Sequence, residues 1–193
     1  MRIIAGEHRG RLIAAPPGRG TRPMLDRVRE ALFSTLGELV ADARVLDLCA
    51  GSGSLGLEAL SRGAASARLV ERDRRTLDVL RSNVEALALR ERAEIVAGDV
   101  LEPSSWGEDG ARYELLFFDP PYPWLRAGEQ RGKVLSVVRR LAAERLAPGG
   151  VLVLHAPKDL LAAGDFGPSV AAKLREYGSN ALWYLRVTEL EEP

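Results

Sequence analysis

VLDLCAGSGSLG (residues 45–56) decides the fold. A short apolar run, RVLDL (44–48), breaks into a turn with glycines spaced G-x-G-x-x-G and then into a helical pattern, SLGLEALSRG (54–63). A strand feeding a glycine turn and a helix is the opening unit of a nucleotide-binding α/β sheet. The glycines permit the tight turn and let a ligand approach the backbone closely. A helix-entry turn that needs glycine for packing alone is the other reading, and the strand–turn–helix setting weighs against it.

Strands and helices alternate on the carboxyl side of this unit. ARLVE (67–71) is a second strand, followed by a helix carrying Leu77, Leu80, Val84 and Leu87. AEIVA (93–97) and YELLFFD (113–119) follow as strands, then a helix over 131–146 with Val134, Val138, Leu141 and Leu146 inward. VLVLH (151–155) is a fifth strand after the turn-prone Pro148-Gly149-Gly150, and 170–177 with 181–188 form a terminal strand pair. Apolar strands alternating with helices imply a parallel sheet covered on both faces, with ligands at the carboxyl ends of the strands. Toward the amino end, Arg2–Ala5 and Arg11–Ala15 read as two short strands of a hairpin, and PPGRGTRP (16–23) as loop. Asp26 is the expected N-cap of a helix reaching about Val40, with Val28, Leu32, Leu36 and Leu39 along one stripe.

The chain's 193 residues suit one domain: a 1–25 extension before a 26–193 catalytic core. Apolar residues at 46% and charged ones at 28% exclude a disordered tail and a fibrous repeat. No apolar run is long enough to span a membrane, and the first 20 residues lack a signal-peptide pattern. The single Cys49 excludes an internal disulfide and a cysteine-based zinc site, as suits a cytoplasmic protein. Cys49 reads as a packed side chain rather than a nucleophile. His8 and His155 have no ligand-spaced partner, so no metal is expected. Formal charge is zero, but residues 1–30 hold seven arginines against three acids, a local +4 that leaves −4 for the rest. That split is compatible with a nucleic-acid partner that the whole-chain value would exclude.

A dinucleotide and S-adenosyl-L-methionine (SAM) can both use such a loop. Asp47 favours SAM, because a carboxylate four residues before Gly51 repels a pyrophosphate and attracts the SAM ammonium. A structural carboxylate bonding loop N–H groups is a compatible role. The loop residues Ala50, Gly51, Ser52, Gly53 and Gly56 form the expected cradle. Glu71, 20 residues after Gly51 at a strand end, is the ribose-hydroxyl candidate. Asp99 with Val100 is placed for the adenine, although an Asp there also suits a turn.

The chemistry points to Asp119-Pro120-Pro121-Tyr122 at the end of the fourth strand. Two prolines fix φ and stop the sheet, leaving a stiff platform with one carboxylate, backbone carbonyls and one ring. The carboxylate and the Pro120 carbonyl can accept both hydrogens of an exocyclic amino group while Tyr122 stacks on the base. Holding that weak nucleophile in line with a sulfonium methyl needs neither a metal nor a covalent intermediate. A strand-ending turn with an incidental acid is the bland alternative. Trp106, Trp124 and Trp183 read as packing residues, with Trp124 also placed to flank a base.

These motifs resemble a known family. D-P-P-Y beside a glycine-rich loop is similar to the amino-methyltransferases acting on adenine, cytosine or guanine –NH₂ groups. MRIIAGEHRGRLIAAPPGRGTRP, DRVREALFSTLG (26–37), VLDLCAGSGSLGLEALSRGA (45–64), FFDPPY and YGSNALWYLRV resemble, along nearly the whole chain, the bacterial 16S rRNA guanine-N2 methyltransferases of the RsmD type. The resemblance implies a class I SAM-dependent methyltransferase fold: a Rossmann-like, mostly parallel seven-stranded sheet with helices on both faces, plus an N-terminal β-hairpin. It also implies methylation of one guanine N2 of 16S rRNA in the 30S subunit or a late assembly intermediate, by a monomer. Residues 2–30 would then reach RNA, with Arg9, Arg11, Arg22, Arg27 and Arg29 as contacts; solvated arginines at a helix entry are the alternative. Met24-Leu25 stands where the family commonly has threonines, Cys49 where an aromatic is common, and His155 where an acid is frequent. An adenine-N6 methyltransferase on DNA or another RNA is the competing enzyme reading. An NAD-dependent oxidoreductase is disfavoured by Asp47, and a non-catalytic RNA-binding factor by the retention of Asp47, Glu71, Asp99 and Asp119.

Overall fold

The computed structural model describes residues 1–16 and 24–188. Seven strands form one sheet in the order β3-β2-β1-β4-β5-β7-β6: β1 (Arg44–Leu48), β2 (Ser66–Glu71), β3 (Ala93–Ala97), β4 (Tyr113–Phe118), β5 (Leu146–Pro157), β6 (Val170–Tyr177) and β7 (Asn180–Val187). The first five are parallel and β7 runs antiparallel between β5 and β6. This is the Rossmann-like, mostly parallel α/β architecture that the sequence implied. The chain leaves β1 toward β2 on one side and meets β4 on the other, so a crevice opens at the carboxyl ends of β1 and β4.

Alternation along each strand divides the core. Val45, Leu115, Phe117, Val151 and Val153 face one layer, with α1 (Asp26–Leu36), α2 (Gly56–Ser61) and α3 (Arg74–Ala86). Leu46, Leu48, Leu116, Phe118, Leu152 and Leu154 face the other, packed by α4 (Glu129–Arg145). Both faces of the central strands are therefore apolar, as a doubly covered sheet requires. Each such side chain, fully buried, contributes roughly 1.5–3 kcal/mol. Turn Gly178-Ser179, with Gly178 at φ +61°, lets β6 and β7 pair directly.

Three local expectations are corrected. Asp26 is the first helical residue of α1, not its cap: Leu25 precedes it without a side-chain cap bond, and Asp26 pairs with Arg2 and Arg29 instead. Pro148-Gly149-Gly150 lies inside β5, where Tyr113 pairs with Leu146 but Leu115 pairs with Val151, so the extra residues bulge out. The amino-terminal hairpin is shorter than expected: one antiparallel bridge, Arg2 to Leu12, flanked by bonds from Ile3 N to Arg11 O and Ile13 N to Met1 O at 2.9 and 3.0 Å, in place of two full strands. Its backbone groups bond to side chains of the core. Glu58 accepts from Ile4 N and Ala5 N at 2.7 and 3.1 Å, and Asn83 both accepts from Ala14 N and donates to its carbonyl, at 2.8 and 3.0 Å.

Candidate active site

The glycines of the loop after β1 have distinct jobs. Gly51, at φ +59°, lies on the wall of a cavity of about 520 Å³ in the β1/β4 crevice. Gly53 turns inward: a Cβ there would meet Leu80 Cδ1 at 2.7 Å and Leu57 Cδ1 at 2.9 Å. Gly56 lets α2 close on the sheet, since a Cβ would lie 2.3 Å from Leu69 Cδ2 and 3.1 Å from Asp47 Oδ2. So Ala50, Gly51 and Ser52 form the cavity-facing part, and Gly53 and Gly56 serve packing.

The carboxylates divide likewise. Asp47 is buried, and its Oδ2 accepts from Gly56 N at 2.9 Å. It lies behind the loop and is not part of the cavity wall. Burial pushes its carboxyl up to about 7; the Gly56 amide opposes this, and the charges of Asp119 and Glu71 add to it. Glu71 reaches the cavity. Its Oε2 accepts from Gly51 N at 3.0 Å and its Oε1 from Arg72 N and Asp73 N at 2.8 and 2.9 Å, so it also fixes the loop. Asp99 bonds Leu101 N through Oδ1 at 2.9 Å and pairs with Arg72 through Oδ2 at 3.2 Å, while its neighbours Gly98 and Val100 line the cavity. The turn-forming reading of Asp99 is the one its hydrogen bonds express. Arg72, which the sequence did not suggest, completes this wall with Trp124, which it placed to flank a base. Arg72, held by Asp99, lies 4.8 Å over the Trp124 ring, and both line the cavity. Sequence spacing cannot show that pairing, because it joins the ends of β2 and β4.

Asp119-Pro120-Pro121-Tyr122 occupies the opposite wall, so the structure brings this motif and the glycine loop to one cavity. Asp119 N donates to Leu48 O at 3.3 Å, tying the motif to the end of β1. Asp119 Oδ1 lies 2.8 Å from His155 Nδ1. His155 is buried on β5, and its Nε2 lies 3.0 Å from Asn180 Oδ1 and 3.3 Å from the Tyr122 hydroxyl, which donates to the same Asn180 oxygen at 2.9 Å. Burial disfavours a charged His155, but the hydrogen bond and charge of Asp119, with the Asn180 oxygen, outweigh it and hold the imidazole pKa above its ordinary value. Cys49, at φ +62°, also lines the cavity; burial and then the carboxylates of Asp119, Glu71 and Asp47 push its thiol up, away from nucleophile chemistry. Among the described residues no cluster of ligating side chains could hold a metal.

The arginines separate by exposure. Arg9, Arg11 and Arg27 are exposed, and Arg11 donates to Ala86 O at 2.6 Å. Arg29 is fully buried, so it is corrected as an RNA contact: it reaches the Arg2 carbonyl, Asp26 and Glu58 and braces the amino-terminal segment on α1. Burial lowers its pKa, and the charges of Glu58 and Asp26 work against that. Arg22 lies outside the described residues. Met1, Pro16 and Met24 line the cavity, so the segment that carries Arg9 and Arg11 also walls the site.

Comparison with known proteins agrees with this architecture. The family described as Conserved hypothetical protein 95 matches residues 1–186. "Putative rRNA methyltransferase YlbH" of Bacillus subtilis is 34% identical over 181 residues, covering 92% of this chain and 94% of that protein. "Ribosomal RNA small subunit methyltransferase D" of Escherichia coli is 43% identical over 122 residues, 63% of this chain and 60% of that protein. The solved "Putative methyltransferase yhhF" of Escherichia coli superposes with a TM-score of 0.80 at 32% identity, over 98% of this chain and 99% of that one. With the match running from the amino-terminal segment through β7, the chain belongs to the Conserved hypothetical protein 95 family, the RsmD family.

Proposed function

We propose that the chain is a SAM-dependent methyltransferase that methylates the exocyclic N2 of a guanine in 16S rRNA. The observation that carries this reading is the placement of Asp119-Pro120-Pro121-Tyr122 on the wall of the cavity formed by Gly51 and Glu71. The cavity, about 520 Å³, is in the range that encloses a cofactor-sized ligand, and its lining fits SAM. Gly51 and Ser52 offer close backbone approach, Glu71 and Val100 would hold the ribose and adenine, and Asp47 supplies negative potential from behind the loop. When bound, SAM supplies an electrophilic methyl group on a sulfonium. The protein supplies orientation. Asp119 Oδ1 is engaged by His155, which leaves Oδ2 to accept from the target amine beside the Pro120 carbonyl. Tyr122, held by Asn180, presents its ring at the same wall.

Exposed Arg9, Arg11 and Arg27 supply phosphate contacts on the amino-terminal side, with residues 1–25 as an extension of the catalytic core. The rRNA relatives favour an RNA substrate; a 30S subunit or late assembly intermediate, a cytoplasmic setting and a monomeric enzyme complete the proposal. No helix of the described residues is long and apolar enough to cross a membrane.

The test is to map methyl groups on 30S rRNA from cells lacking the protein and to restore them with purified enzyme. Loss of one guanine-N2 methyl group, restored by the native chain and not by Asp119→Ala, is expected. Unchanged guanine-N2 methylation, or a methyl gained on adenine N6, would refute the assignment. Asp119→Ala should lower turnover by roughly 10²–10⁴-fold while SAM still binds.

A further inference from the structure

We propose that His155 is a positioning residue: an imidazolium, fixed by acceptors at both ring nitrogens, that holds the Asp119 carboxylate turned so that one oxygen meets the substrate amine. This rests on the methyl-transfer reading above. The backbone makes the pair. β4 and β5 run parallel with Phe118 beside Leu154, so the next residues, Asp119 and His155, are neighbours at the carboxyl edge. Asn180 enters from β7, which pairs with β5 at Pro157.

The hydrogen-bond partners suit a doubly protonated ring. His155 Nδ1 faces a carboxylate oxygen at 2.8 Å, and Nε2 faces Asn180 Oδ1 at 3.0 Å. The amide's orientation is set by its Nδ2, which donates to the Tyr177 carbonyl at 3.3 Å; oxygen is then the atom turned to the ring and to the Tyr122 hydroxyl, which donates to it at 2.9 Å. A neutral imidazole carries one N–H and can serve only one of two acceptors; the doubly protonated ring serves both. The groups that face this ring are Asp119 from the end of β4, Tyr122 from the turn after it and Asn180 from β7. Farther out are Tyr177 on β6 and Arg27 of α1, whose Nη2 reaches the Gly178 turn.

Such a cation balances the carboxylates of this site. Asp47, Glu71 and Asp119 are close enough that the last two raise the carboxyl pKa of the first. Arg72 is already paired with Asp99. A buried positive charge on the far side of Asp119 offsets the repulsion without occupying the cavity, since His155 is not among its lining residues. It also takes Oδ1, so the carboxylate cannot swing away from the amine.

The ring can be read directly. The chain has two histidines, His8 and His155, so long-range ¹H–¹⁵N spectra of histidine-labelled protein give two ring systems, assigned with His8→Gln. We expect His155 to show two protonated nitrogens at pH 7 and to titrate above the ordinary imidazole value, and Asp119→Asn and Asn180→Leu each to lower its titration point by about one unit or more. His155→Gln, checked for folding by thermal melting, should lower kcat about tenfold with SAM affinity near the native value. It should also abolish the alkaline fall in kcat that follows loss of the ring proton. A neutral single tautomer at pH 7, a titration unmoved by Asp119→Asn, or a native pH profile in His155→Gln would overturn the inference. The spectra need neither SAM nor RNA. A doubly protonated ring in a protein that methylates no rRNA would therefore overturn the reaction assignment, whereas a neutral ring in a methylating enzyme would overturn the role of His155.

Discussion

Gly6→Ala is the sharpest test of how the amino-terminal segment is docked. Gly6 has φ +84°, and a Cβ there would stand 1.7 Å from Ser61 O and 2.2 Å from its carbonyl carbon. These are backbone atoms at the end of α2, so no rotamer change relieves the clash. The segment must retreat by about 1.5 Å to reach ordinary non-bonded separation. That breaks Glu7 N to Ser61 O at 2.8 Å, His8 N to Ser61 Oγ at 3.0 Å and Ser61 Oγ to Ala5 O at 2.6 Å. Three hydrogen bonds at about 1 kcal/mol each, and about 1 kcal/mol for a left-handed L-residue, give a loss of about 4 kcal/mol. Ile3 and Ile13, both buried, keep the segment partly attached, so the loss is local and not global. Amide exchange at Ile4, Ala5 and His8 should then quicken by about a thousandfold, and trypsin should cut at Arg9 and Arg11, while the sheet's melting changes little. Methylation of rRNA should fall further than SAM affinity, since among its described residues the segment supplies just Met1 and Pro16 to the cavity wall. Exchange at these amides within threefold of the native protein's would refute the reasoning.

Other perturbations probe the site and its supports. Asp47 has its carboxyl raised to about 7 from 3.8, so the folded protein holds that proton more tightly than the unfolded chain. Its contribution to stability is complete below the unfolded value and is lost as pH rises through 7, amounting to about 4 kcal/mol at most. Asp47→Asn should therefore gain on the native protein between pH 5 and pH 8.5 in urea unfolding; a constant difference would exclude a buried titrating carboxyl. Replacing Arg9 and Arg11 by glutamate should flatten the log K against log salt plot for RNA by up to about 0.9 for each phosphate no longer neutralised. Arg29→Met should instead leave that slope unchanged and lower stability by about 1–2 kcal/mol, because the Arg2 carbonyl loses its donor and Asp26 a partner while Glu58 keeps Arg62. Asn83→Ala removes the bonds to Ala14 and to the Ser52 carbonyl; a drop of about 2–3 kcal/mol with weaker SAM binding is expected, by melting and calorimetry.

The sheet was legible because its signals are local. β1, β2, β3 and the β6–β7 pair fall within a residue of their apolar runs, and Asp73 caps α3 by accepting from Thr76 N at 2.8 Å. The errors arise where a distant partner decides. GEHRG between two β-prone runs predicts a hairpin, and Met1, Ile3, Arg11 and Ile13 do bond across it, but what the sequence hides is how it docks: Glu58, Ser61 and Asn83 take its other backbone groups. Pro148-Gly149-Gly150 predicts a turn, but pairing of Leu146 with Tyr113 starts β5 before it. Arg29 reads as a surface cation in an arginine-rich block, and only the packing of α1 against Glu58 shows it to be an internal brace. Net charge of the first 30 residues therefore overstates what RNA can meet.

The candidate site divides along the same line. Gly51, Glu71 and the Asp119–Tyr122 motif follow from strand ends and need no long-range information to be found. What each carboxylate does depends on its neighbours across strands. Asp47 and Glu71 both bond loop amides, but Asp47 lies behind the loop, where burial works against its charge, and Glu71 opens to the cavity. Asp119 meets His155 only because β4 and β5 are parallel and in register, and the sequence separation of 36 residues carries no trace of that pairing. An acid that ends one strand and a histidine that ends its neighbour become a charge pair through register alone. Slipping β5 by one residue would set Leu154 or Ala156 beside Asp119 and turn His155 toward the α4 layer, leaving a carboxylate among like charges. The bulge at Pro148–Gly150, which looks like a flaw in β5, absorbs the extra residues between the Leu146 and Val151 pairings and so sets that register. It joins the far end of the strand to the chemistry at this one.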